Sequence, residues 1–154
     1  MPAETTIPMP AGKAAKRSAF GMLCEELIGS GAGRKVYKTH LLPGLVVKVE
    51  EAGRSFQNVI EWETWQRVKD TEAAKWFSPC ESISSDGIIL VMAQTTQPAL
   101  DQYPIKMPSF LTDFKRTNYG MYEGRLVAHD YGIPICMDYG IFSKRMRKVE
   151  WWDV

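Results

Sequence analysis

Leu45-Val46-Val47-Lys48-Val49, preceded by Pro43-Gly44, is an apolar strand that carries one cation in its middle. Strand alternation puts Lys48 with Val46 on one face and Val47 with Val49 on the other, and a lysine is seldom fully buried without a partner. Upstream, Leu23-Cys24-Glu25-Glu26-Leu27-Ile28 and Lys35-Val36-Tyr37-Lys38 are two further short runs. Gly or Pro-Gly bounds each of them, as in an antiparallel meander. Downstream, Ser55 is placed to cap a helix in which Phe56, Val59, Ile60, Trp62, Trp65 and Val68 recur at three- and four-residue spacings, ending near Lys69-Asp70. That helix covers the sheet and supplies a carboxylate for Lys48. Glu61 and Glu63 lie two residues apart, so both cannot face inward; Glu61 shares the stripe of Trp65 and Val68 and is the expected partner.

Farther along, Glu81-Ser82-Ile83-Ser84, the turn Ser85-Asp86-Gly87 and Ile88-Ile89-Leu90-Val91-Met92 read as a hairpin whose second strand is buried on both faces. These strands bring the sheet to five. Ala93 to Ser109, with Pro98, Pro104 and Pro108, reads as a connector, and a small hairpin closed by Glu123-Gly124 follows. The expected fold class is therefore α+β: a five-stranded antiparallel sheet with one helix, then a loop and hairpin. Residues 1–21, with Pro2, Pro8 and Pro10 and no period, read as a flexible leader, and residues 22–154 as a single domain divided into 22–97 and 98–154.

The 154 residues, 45% hydrophobic and 24% charged, suit one compact domain. Nineteen basic against eighteen acidic side chains give a net charge of +1, a balance that favours neither a nucleic-acid nor a membrane-surface partner. No apolar run reaches membrane-spanning length and no secretory signal is evident, so the expectation is a cytoplasmic protein. Cys24, Cys80 and Cys136 are widely spaced, which suits free thiols packed as small hydrophobes. His40 and His129 read as packing or hydrogen-bonding residues.

Several residues are suited to chemistry. Gly29-Ser30-Gly31-Ala32-Gly33 lies between two expected strands, where backbone amides can approach an anion; alone it is equally an ordinary hairpin turn. Asp113, Lys115 and Asn118 place a carboxylate, an ammonium and an amide within six residues, followed by Asp130-Tyr131-Gly132. In phosphoryl transfer an aspartate orients the attacking hydroxyl, a lysine neutralises charge, and Asn with a second Asp ligates Mg²⁺. Either motif alone would be a surface loop or turn.

Taken in order, these residues resemble the protein-kinase superfamily, in particular the short kinase-like proteins of bacteria and their phages. Gly29-x-Gly31 and Val36 resemble the glycine-rich loop, Leu45-Val-Val-Lys48 the strand with the nucleotide-binding lysine, and Glu61 its helix partner. Met92 to Thr95 resembles the hinge that contacts adenine, Asp113 the catalytic aspartate, Asn118 and Asp130 the metal ligands, and Lys115 the serine/threonine type of catalytic loop. The resemblance implies a kinase N-lobe-like sheet with an αC-type helix, followed by a catalytic-loop hairpin and a much reduced C-lobe. It also implies binding of ATP and Mg²⁺ and transfer of the γ-phosphoryl group to a Ser/Thr hydroxyl of a protein substrate.

The chain departs from the family pattern at Arg34, which stands at the third loop glycine, and at Leu111-Thr112, which replaces a His-Arg pair. Only 22 residues follow Gly132, so the substrate-docking lobe is absent or vestigial. This favours a second expectation, a pseudokinase-type interaction protein, phage-encoded on that resemblance, that binds and inhibits a host protein, or a homo-oligomer that covers the shortened lobe. The tail run Lys144-Arg-Met-Arg-Lys148 reads as a solvated helix face, with a nucleic-acid-binding module as the weakest reading. Trp151-Trp152 reads as a packing or interface pair.

Overall fold

The computed structural model describes residues 21–51, 55–132 and 143–153. The readings of residues 1–20 as a leader and of Cys136 as an incidental thiol fall outside these. Strands β1 (Glu26–Gly31), β2 (Arg34–Lys38), β3 (Leu45–Glu50), β4 (Cys80–Ile83) and β5 (Ile89–Ala93) form one antiparallel sheet in the order β1-β2-β3-β5-β4. One α-helix, α1 (Gln57–Val68), connects β3 to a 3₁₀ turn at Glu72–Trp76, and β4 follows. The fold is α+β, with a five-stranded antiparallel sheet.

Pairing places Val36 opposite Lys48 and Lys48 opposite Leu90, while Val46 faces Met92. The lysine thus shares its sheet face with the core residues Val46, Leu90 and Met92. β1 begins three residues later than the apolar run suggests and continues through the glycines to Gly31, because backbone pairing with β2 does not need side chains. Gly33 closes this hairpin at φ 83°.

The helix departs from its sequence pattern in two respects. Its N-cap is Phe56 in a left-handed conformation with no side-chain cap; Ser55 instead accepts a hydrogen bond from Gln57 Nε2 at 2.7 Å. Its fully buried positions are Asn58, Glu61 and Val68, whereas Phe56 is exposed and Val59 and Ile60 are only half-buried. Polar partners on the sheet and on the second half of the chain, rather than apolar contact alone, hold this face inward. In β5 the core face (Leu90, Met92) is fully buried, but Ile89 and Val91 opposite are half-buried, so the strand is not enclosed on both sides.

Beyond the sheet, β6 (Lys106–Pro108) pairs with β9 (Met146–Lys148), and β7 (Tyr119–Tyr122) with β8 (Arg125–Ala128). The β7–β8 hairpin turns through Glu123 (φ 48°) and Gly124 (φ 77°), the two left-handed residues that a two-residue hairpin turn favours. The expected connector therefore contains a strand, and the basic tail run is an exposed strand, not a helix face. Three-residue strands interrupted by Pro108 carry no legible alternation. Trp151 fixes the tail by packing tilted against Tyr103 and edge-on to Phe114 and Tyr119, and by donating from Nε1 to Pro104 O at 2.7 Å. Among the described residues no helix is long and apolar enough to cross a membrane.

Candidate functional site

Lys48 and Glu61 meet beneath the glycine-rich hairpin, with Nζ donating to Oε1 at 2.8 Å. Both side chains are buried, and Glu63 is exposed. Glu61 has every lone-pair direction used. Oε1 accepts from Lys48 and from Arg34 Nη1 at 2.9 Å, while Oε2 accepts from Arg34 Nη2 and from the Tyr131 amide at 2.9 Å. Four donors thus satisfy this buried carboxylate in place of water.

Arg34 was the residue least expected here. It reaches in from the start of β2, is 4% exposed, and makes a two-pronged pair with Glu61. Nη1 also donates to Asn58 Oδ1 at 3.1 Å, and Nη2 to Asp130 Oδ1 at 2.6 Å. Burial works against the Arg34 charge, but Glu61 and then Asp130 outweigh it, so the guanidinium is held charged. Burial likewise pulls the Lys48 ammonium below the usual lysine range, with Glu61 opposing. At Asp130 burial is overcome by Lys48 and Arg34, and the carboxyl lies below its ordinary value. The signal for Arg34 was present in β2: by alternation it shares the face of Val36, which pairs with Lys48.

Asn58 was also missed, although it lies three residues before Glu61 on the same helix stripe. Its side-chain amide donates to Lys48 O, Gly87 O and Ile88 O, and its backbone amide donates to Glu50 Oε1 at 2.7 Å. It thereby fixes the first turn of the helix to β3 and the β4–β5 turn. Gln57 Nε2 donates to Ala32 O at 2.6 Å, tying the tip of the glycine hairpin to the same turn. Gly29 pairs with Val36 and Gly31 with Arg34, so both belong to the hairpin ladder. Met92 is fully buried in the core; after it, the Gln94 amide donates to Gly44 O and Thr96 pairs with Met121.

The second half of the chain brings Asp130 to this cluster. His129 and Asp130 both donate from their backbone amides to Asn118 O, at 3.0 and 3.2 Å, and Lys48 Nζ donates to His129 O. Asn118 Nδ2 donates to Asp113 Oδ2 at 3.1 Å, and Asp113 is exposed at φ 52°. The carboxylate and amide are therefore brought together. Lys115 is drawn elsewhere: its ammonium lies 5.7 Å from the centroid of the Trp152 ring.

His129 Nε2 donates to Thr117 O at 2.7 Å, which leaves Nδ1 to accept from the Thr95 hydroxyl at 2.6 Å. Burial, followed by nearby Lys48, lowers this imidazole to about 4. Tyr131 donates to Ser78 O at 2.8 Å and stands edge-on to Phe77, while burial raises its phenol well above the ordinary value. Burial also pushes the neighbouring Cys80 thiol up to about 12, so that cysteine is an inert packing group.

The two expected metal ligands are partly engaged as they are arranged, Asp130 Oδ1 by Arg34 and Asn118 Nδ2 by Asp113. Among the described residues no group of three or more His, Cys, Asp or Glu is placed to hold a metal ion. Comparison with protein families, curated proteins and solved structures gave no match to this chain.

Proposed function

We propose that the protein is a kinase-like, nucleotide-binding protein whose biological action is to bind a partner protein rather than to pass on phosphate. The five antiparallel strands, the helix that follows β3 and the Lys48–Glu61 pair support the kinase-like part of this reading. One observation carries the binding-only part: Asp130, the residue matching the family's metal aspartate, is engaged by Arg34 at 2.6 Å. ATP is the expected nucleotide, held between the glycine hairpin and the stretch after Met92. Lys48 has three N–H donors, of which Glu61 and His129 O take two, leaving one for a phosphate oxygen. Glu61 orients Lys48, and the hairpin amides of Gly29 to Gly33 line the anion.

A second reading, transfer of the γ-phosphoryl group to a Ser/Thr hydroxyl, is supported by the pairing of Asp113 with Asn118. Bound Mg²⁺ would supply charge neutralisation for such a transfer. Incubation with labelled ATP and candidate protein acceptors, beside Asp113→Ala, separates the two. The proposal expects no transfer above the Asp113→Ala background and partner capture that survives the substitution. Transfer that is lost in Asp113→Ala would establish the second reading instead.

A further inference from the structure

Four charges meet in the cluster: Arg34 and Lys48 against Glu61 and Asp130. Among these four directly bonded groups the formal charges balance with no metal counted. If the Arg34 position were uncharged, the same site would carry one net negative charge, and a polyphosphate would face an uncompensated Asp130. In phosphoryl-binding sites a divalent cation ordinarily relieves that repulsion. Here a guanidinium stands between the two carboxylates, bonded to both.

We propose that Arg34 takes the place of a divalent cation in this site, so that the protein binds a nucleoside phosphate without a metal. The inference rests on the nucleotide-binding reading above and adds the ionic form of the ligand that the site accepts. The placement is built rather than incidental: Arg34 is 4% exposed and spends its terminal N–H groups on Glu61, Asn58 and Asp130. With those groups occupied it acts as a fixed charge, and contact with the phosphates falls to Lys48 and the hairpin amides. A metal ion approaching Asp130 through its half-exposed side chain would have to displace a charge-assisted bond. That replacement would also set a divalent cation beside a guanidinium left with only Glu61 and Asn58, and the two like charges repel.

Titration calorimetry of the full chain with ATP, once in EDTA and once in excess Mg²⁺, tests this. The dissociation constants should agree within about threefold, and Mn²⁺ added alone should show no bound population by electron paramagnetic resonance. Asp130→Asn, which removes the charge that a cation would neutralise, should bind ATP equally well in both buffers. Arg34→Leu should make ATP binding at least tenfold weaker in EDTA than in Mg²⁺. Should Arg34→Leu not fold, the wild-type comparison and Asp130→Asn still decide the matter. Wild-type binding tenfold or more weaker in EDTA, or Mn²⁺ held by the wild type, overturns the role of Arg34 and leaves nucleotide binding standing. No ATP binding in either buffer removes the nucleotide reading and this inference with it.

Discussion

At the scale of single residues, the cluster under the hairpin is held by geometry that tolerates little change. Glu61 is the hub, and removing it leaves buried Lys48 with no carboxylate partner, only His129 O, and buried Arg34 with Asp130 and Asn58 alone. Breaking a buried pair in this way costs about 3–5 kcal/mol. Glu61→Ala should therefore lower unfolding free energy in urea by that order, whereas Glu63→Ala, at an exposed position, should stay within about 0.5 kcal/mol. Equal effects of the two would mean that the buried network does not carry stability.

Gly132 is a second fixed point. A Cβ there would lie 2.6 Å from Gln57 Cβ and 2.9 Å from Gln57 O, so the chain after Asp130 can pass the helix start only as glycine. Gly132→Ala should cost about 1–3 kcal/mol, in the range of overpacked sites. Gly31→Ala, where an added Cβ meets nothing within 4 Å, should cost far less in the same urea titration. Lys48, Glu61 and Asp130 could be singled out from the sequence because each is a charge embedded in a patterned stretch. Arg34 could not be assigned a partner, because its contacts come from residues 24, 27 and 96 positions away.

At the scale of elements, the sheet was legible because Gly and Pro-Gly punctuate strands of high β propensity. The helix was legible in its existence, in its end and in the inward stripe of Glu61, Trp65 and Val68. What was not legible is that Asn58 extends that stripe, fully buried by hydrogen bonding, while Phe56, Val59 and Ile60 lie off it. The β6–β9 ribbon was illegible, since three-residue strands are paired only by distant parts of the chain meeting.

The segment that joins β8 to Asp130 carries a pH-dependent connection. His129 bridges Thr95 and Thr117, and its folded pKa of about 4 lies below its ordinary 6.5. An unfolded chain takes up this proton first as pH falls. The contribution to stability is therefore complete above pH 6.5 and is lost between 6.5 and about 4. The loss should approach about 3 kcal/mol. Unfolding free energy measured across that window should fall in the wild type and stay nearly level in His129→Gln. A slope shared by both proteins would assign the effect to other groups. Asp130 does not confuse the comparison, because its depressed pKa places its own window below 3.8.

At the scale of the whole molecule, residues 22–97 and 98–154 do not have separate cores. Val46, Leu90 and Met92 from the sheet belong to one cluster with Phe110, Leu111, Tyr119 and Tyr131. Backbone pairing crosses the division too: Ser78 donates to Ala128 O at 2.8 Å, and Thr96 exchanges bonds with Met121 at 2.7 and 3.1 Å. A sheet that lost residues 98–154 would expose its covered face and leave Lys48 without His129 O and Arg34 without Asp130. The full chain should consequently unfold in one step. Tryptophan fluorescence reports from both parts, through Trp62 and Trp65 on the helix and Trp151 in the tail, while far-ultraviolet dichroism reports on backbone order. The two signals should give coincident urea midpoints, and a fragment spanning residues 21–97 should show no cooperative transition. A fragment that melts cooperatively by itself would mean that the sheet and helix suffice, and that residues 98–154 add Asp113, Asn118 and Asp130 without contributing to the fold that holds Lys48.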